Sequence, residues 1–279
     1  LTRTASQTRT TSRGWGVMKM GIDLQSITLS LRANAWDEEA GLEEVTEPNE
    51  VLFALVDSKV PDIAALYAEK SRAVDTEDYS IEVGGLVSTL YIAALLEYLP
   101  VVETLIKRGA DINKAMGDGC TPLYSASEEG HEMVVRVLLE SGADINKTMD
   151  EGCTPLHIAS EEGHEMVVRV LLEKEADINK ITDEGYTPLH IASLNDHEAV
   201  VRVLLEEEAD INKAIDHGCT PLHTACLNGH EMVVRVLLER GADINKATDD
   251  GYTPLHIASL NGHEEVVRVL LESGADINK

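Results

Sequence analysis

The sequence predicts an all-α fold, a solenoid of stacked helix-turn-helix units joined by hairpin-like finger loops. Three observations carry this. A motif recurs at one step: TPLYSASEEGH begins at Thr121, TPLHIASEEGH at Thr154, TPLHIASLNDH at Thr187, TPLHTACLNGH at Thr220 and TPLHIASLNGH at Thr253, each 33 residues after the last. The flanking landmarks keep the same step, with Gly119, Gly152, Gly185, Gly218 and Gly251 before the motif and a DINK tail ending at Lys147, Lys180, Lys213, Lys246 and Lys279. Self-similarity at a fixed period marks an array in which each unit buries its apolar face against its neighbours. The composition agrees: apolar residues make up 43% but aromatics only 4%, and the small gaps between thin layers suit Leu, Val and Ala.

In chain order, residues 1–45 form an N-terminal tail. The first 22 are rich in Ser, Thr and Arg and contain no acid. That composition fits a transit peptide, a disordered tail, or translated sequence upstream of Met18 or Met20, and all three readings stay open. Residues 23–36 can form one amphipathic segment, and Asp37 to Glu50, with seven acids and no base, reads as a linker. Residues 46–115 hold degenerate units: VLFALVDSKVPDIAALYAEKSRAVD from Val51, a longer finger loop from Thr76, then STLYIAALLEYLPVVETLIKRGADINK from Ser88. Five clear units follow at 116–148, 149–181, 182–214, 215–247 and 248–279. The chain starts at Leu1 and stops at Lys279 inside a unit, without a polar capping repeat, so it is expected to be a fragment or an imperfectly translated frame.

Each unit has a physical reading. Thr followed by Pro is an N-cap followed by a proline at N1, where the missing N–H costs nothing. Pro254 to Asn261 is then a short helix, and Gly262 ends it in the left-handed region. Glu264 to Glu272 forms a second helix whose apolar stripe is Val266, Val267, Val269, Leu270 and Leu271. Valine is a mediocre helix former, so packing must hold this helix. Gly274 is the second stop. Where the stops are usually glycine the chain has Asp196, Glu175 and Glu208, which predicts positive φ at residues with a Cβ. The stretch 166–210 is therefore expected to be the weakest link of the array.

The pattern Gly-x-Thr-Pro-Leu-His-x-Ala, Gly-His, Val-Val-x-x-Leu-Leu, Gly-Ala-Asp-x-Asn at period 33 resembles the ankyrin repeat. The resemblance is close over 116–279, weaker over 86–115 and faintest over 51–75. It implies an ankyrin-repeat solenoid, and it implies that His157, His190, His223 and His256 knit each helical turn to its neighbour by hydrogen bonds. Asn146, Asn179, Asn212, Asn245 and Asn278 read as turn formers. The resemblance also makes them candidates for hydroxylation.

Catalytic and metal readings fare poorly. A catalytic site is assembled once from dissimilar residues, whereas these histidines recur. No phosphate-binding glycine loop or nucleophile motif is present, and no second His follows His131-Glu132 at the HExxH spacing. The chain is not expected to be an enzyme, and no cofactor is implied. His217, Cys219, His223, Cys226 and His230 are zinc-ligand types within 14 residues, but His223 and His230 hold framework positions. Cys120, Cys153 and Cys219 share one repeat position, and that position in adjacent units is about 10 Å apart if stacked, which exceeds the roughly 7 Å a disulfide spans. Free thiols point to a reducing compartment, cytoplasmic or nuclear, with organellar import through the tail as a further option.

Function is sought where the units differ. The loop tips are acidic: Asp118, Asp150, Glu151, Asp183, Glu184, Asp216, Asp249 and Asp250, with His217 among them. After the loop glycine come Cys120, Cys153, Tyr186, Cys219 and Tyr252. The end of the first helix changes from Glu128-Glu129 and Glu161-Glu162 to Leu194-Asn195, Leu227-Asn228 and Leu260-Asn261. In the family these zones line a concave groove. Exposed leucines and tyrosines rimmed by charge suit a protein hot spot. The formal net charge is −27, and residues 115–279 hold 12 basic and 32 acidic side chains. That field repels nucleic acid and anionic membranes and attracts a Lys/Arg-rich protein segment. The expected function is a monomeric, non-catalytic adaptor or scaffold that binds another protein. The alternative is the recognition arm of a larger enzyme or channel.

Overall fold

The computed structural model describes residues 89–279. The tail, the unit at 51–75 and the long loop from Thr76 lie outside the described residues. The described residues hold twelve α-helices, no strand and one 3-10 turn, Asp216–Gly218. The helices form six pairs: α1 (Thr89–Leu95) with α2 (Leu99–Lys107), α3 (Pro122–Glu128) with α4 (Glu132–Glu140), α5 (Pro155–Glu161) with α6 (Glu165–Glu173), α7 (Pro188–Leu194) with α8 (Glu198–Glu206), α9 (Pro221–Asn228) with α10 (Glu231–Glu239), and α11 (Pro254–Leu260) with α12 (Glu264–Glu272). Each first helix packs on the first helix of the next pair, and each second helix on the second, giving two layers.

The local chemistry of the last five first helices is the one predicted. Thr121, Thr154, Thr187, Thr220 and Thr253 are extended N-caps with proline next. In the last four, the His at N3 closes a capping box in place of the usual Glu. The seven- to nine-residue helices bury one stripe each: Val167, Val168, Val170 and Leu171 in α6, and Val200, Val201, Val203 and Leu204 in α8. Leu123, Leu156, Leu189 and Leu222 fill the other layer. In α12 the expected five-residue stripe is narrower. Val266, Val269 and Leu270 are buried, Val267 is half-buried, and Leu271 is exposed. The same position is only half-buried at Leu139, Leu172, Leu205 and Leu238, so it lies at the edge of the stripe in every unit.

The missing stop glycines do force positive φ, at 65° for Glu175, 60° for Asp196 and 63° for Glu208. Glu97 (58°) joins them, in the register of Gly130. At the first-helix stops the glycine has a second duty. A Cβ on Gly130, Gly163 or Gly229 would come within 2.7 Å, 2.5 Å and 2.5 Å of Nδ1 of His164, His197 and His263 in the next unit. Where an acid replaces glycine, its carboxylate instead faces that ring, 3.6 Å from His131 for Glu97 and from His230 for Asp196. Glu175 and Glu208 have no such compensation. Glu175→Gly and Glu208→Gly are each expected to stabilise the chain by about 1 kcal/mol, read from chemical denaturation. Among the helix amides, exchange should be fastest over 166–210, and slowest exchange there would contradict this.

Candidate interaction face

The finger loops carry the residues that vary, and backbone bonds shape each one. Met149 N–H donates to the Cys153 carbonyl at 3.0 Å, Thr182 to Tyr186 at 3.0 Å, Ile215 to Cys219 at 2.9 Å and Thr248 to Tyr252 at 2.9 Å. The first-helix histidines anchor these loops. The amide of Thr154 donates to Nδ1 of His157 at 3.2 Å, which leaves the proton on Nε2. That Nε2–H donates to the carbonyls of Lys180 (3.0 Å) and Tyr186 (3.1 Å), across into the next finger. His190 reaches Cys219 O and His223 reaches Tyr252 O, each at 3.3 Å. Burial outweighs these bonds and holds His157 and His190 down at about 4, and it lowers His223 as well.

The second histidine of each motif ties units from the other side. Nε2 of His164 donates to Glu128 O at 2.8 Å, His197 to Glu161 O at 2.6 Å, His230 to Leu194 O at 2.8 Å and His263 to Leu227 O at 2.9 Å. The tail asparagines do more than form turns. Oδ1 of Asn146, Asn179, Asn212 and Asn245 accepts from the amides of Asp177, Asp210, Asp243 and Asp276 one unit on, at 2.9–3.0 Å. His157, His190, the paired second histidines and the asparagines are thus joints of the scaffold. In the candidate zinc set, the amide of Thr220 donates to Nδ1 of His223 at 3.1 Å and Cys226 is fully buried on its helix. The described residues contain no group of three or more His, Cys, Asp or Glu placed to hold a metal ion. All four cysteines are free.

The predicted site residues lie on the loop tips and first-helix ends. Asp150, Glu151, Asp183, Glu184, Asp216, His217, Asp249 and Asp250 are exposed at the tips. Glu161, Tyr186 and Leu194 are half-buried, while Glu162, Asn195 and Asn228 are exposed. Leu227, Tyr252 and Leu260 are exposed by 41%, 46% and 72%, with Asn261 also exposed, so the later half presents open apolar surface. The asparagine amides have local work: Nδ2 of Asn195, Asn228 and Asn261 donates to the carbonyl four residues back, at 3.0, 3.2 and 2.9 Å.

The earlier half is electrostatically tense. Burial, then Glu129, Glu162, Glu161 and Asp118, push the Glu128 carboxyl up to about 7. Tyr91 and Tyr124, which stand where later units have histidine, are buried beside it. The sequence placed Glu128 in the variable zone but did not signal its raised carboxyl, which depends on burial and on acids of the next unit.

Paired short helices, threonine–proline caps, and histidine and asparagine bridges at a 33-residue step are now in view. The ankyrin-repeat profile matches three times, over residues 87–149, 146–215 and 213–279. The chain belongs to the ankyrin-repeat family. No curated protein matches it. Ankyrin repeats are protein–protein interaction modules, and in this ankyrin-repeat chain the tips and helix ends are where the units differ. Among its described residues, no helix is long and apolar enough to cross a membrane.

Proposed function

We propose that this ankyrin-repeat chain is a non-catalytic adaptor or scaffold that grips a Lys/Arg-rich segment of a partner protein along its loop tips and first-helix ends. The carrying observation is the row of exposed acids at successive loop tips, Asp150, Glu151, Asp183, Glu184, Asp216, Asp249 and Asp250, together with the half-buried Glu128, whose carboxyl is raised to about 7 by burial and by the surrounding acids. A cationic side chain placed there relieves that repulsion. Leu227, Tyr252 and Leu260 supply apolar contact at the other end of the array. The acidic field argues against nucleic acid and anionic membranes as partners. A monomer working in the cytoplasm or nucleus completes the reading.

Proteins captured by the full chain at low and high salt are expected to share a basic segment, and most are lost at high salt. Replacing Glu161 and Glu162 by glutamine should slow association several-fold. Affinity should also rise with pH through about 7, since the cation favours the ionised form of Glu128. Captured partners without a basic segment, held equally at high salt, would overturn the reading.

A further inference from the structure

The finger loops are latched edge to edge by backbone bonds, and one latch is missing among the described residues. The amide of Asp150 donates to Asp118 O at 3.0 Å, Asp183 to Glu151 O at 3.2 Å and Asp249 to His217 O at 2.9 Å. No such bond joins Asp216 to Glu184. Spacing tells the same story independently. A Cβ on Gly119 would meet Met149 at 2.8 Å, on Gly152 Asp183 at 2.7 Å, and on Gly218 Asp249 at 3.0 Å. On Gly185 the nearest atom would be Ile215 Cβ, at 3.7 Å.

One difference between the open junction and the latched ones is the residue after the loop glycine. It is Cys120, Cys153 and Cys219 at the three latched junctions and Tyr186 at the open one. The tyrosine ring stands edge-on to His190, with centroids 6.1 Å apart, and Nε2 of that histidine reaches across to Cys219 O in the next loop at 3.3 Å. The loop beyond it also differs, making a 3-10 turn with His217 at φ 67°. The helices across the junction stay packed, with Leu189, Leu204, Leu222 and Leu237 all buried.

We propose that Tyr186 is a wedge that holds the finger-loop edge apart between loops 182–186 and 215–219, so that the stack opens there first while its helical layers stay closed. The wedge lies within the interaction face, and it sets the separation of Glu184 and Asp216 whatever the partner is.

The test is site-resolved amide exchange by NMR on the full chain, comparing Asp216 with Asp150, Asp183 and Asp249. In the native chain the Asp216 amide should exchange about tenfold faster than the other three, since a net hydrogen bond shifts a local opening by roughly that factor. Tyr186→Cys should slow Asp216 selectively by a similar factor. Cys153→Tyr should speed Asp183. Equal protection of the four amides in the native chain would overturn the proposal. So would a Tyr186→Cys variant that leaves Asp216 unchanged, or that moves all four alike and so reports only global stability.

Discussion

Acidification is expected to weaken the stack well before ordinary carboxylates titrate. His157 and His190 are buried, and their folded values lie near 4, against 6.5 when unfolded. Below 6.5 the unfolded chain takes up a proton at each and the folded chain does not. Protons therefore pull towards unfolding, and stability falls as pH drops from 6.5 towards 4. By pH 5 the loss is about 2 kcal/mol per histidine, and it is on the order of 3 kcal/mol each by pH 4. His223 is lowered too and adds in the same direction. Glu128 has the opposite sign. Its folded value of about 7 lies above the usual 4.5, so the folded chain holds its proton more tightly, and this contribution favours folding as pH drops through 7. It is half-exposed and solvent screens it, so the buried histidines set the net direction. Urea midpoints measured across pH 7 to 5 should fall steadily, and His190→Gln should flatten the curve. A midpoint that holds level over that range would sink the assignment of neutral buried imidazoles.

How much of this was legible beforehand follows from the repeat. Helix positions, threonine caps and the positive φ of Glu175, Asp196 and Glu208 were readable because one register runs through five units. Glu97 was readable by the same register, 33 residues before Gly130, but its unit is degenerate enough to hide the consequence. The exposure of the acidic tips followed from their place in the loop. Other features were not legible, because they depend on the neighbouring unit rather than on the unit itself. The raised carboxyl of Glu128 is set first by burial and then by Glu129, with Glu162 and Glu161 one unit on adding to it. The asparagines looked like turn formers because their bridging partner is a backbone amide 31 residues away. The open latch at Asp216 and the left-handed His217 have no counterpart in any glycine pattern.

Truncating His157 to alanine is expected to cost roughly 3–4 kcal/mol, about as much as deleting a large core side chain. The ring is only 1% exposed, so its loss leaves a cavity. It also strips the carbonyls of Lys180 and Tyr186 of a donor and breaks the box that starts α5. His256 holds the same motif position but is exposed, and it bonds to Thr253 within its own turn. His256→Ala should therefore cost only about 1 kcal/mol, the worth of a cap. The difference measures what the imidazole contributes between units as opposed to within one. Because an array is coupled through nearest neighbours, the His157→Ala loss falls on the junction between 149–181 and 182–214, and chemical denaturation should broaden or split there. Equal costs for the two variants, with a single sharp transition in both, would mean that the histidine only caps its own helix, and that the apolar layers alone hold the units together.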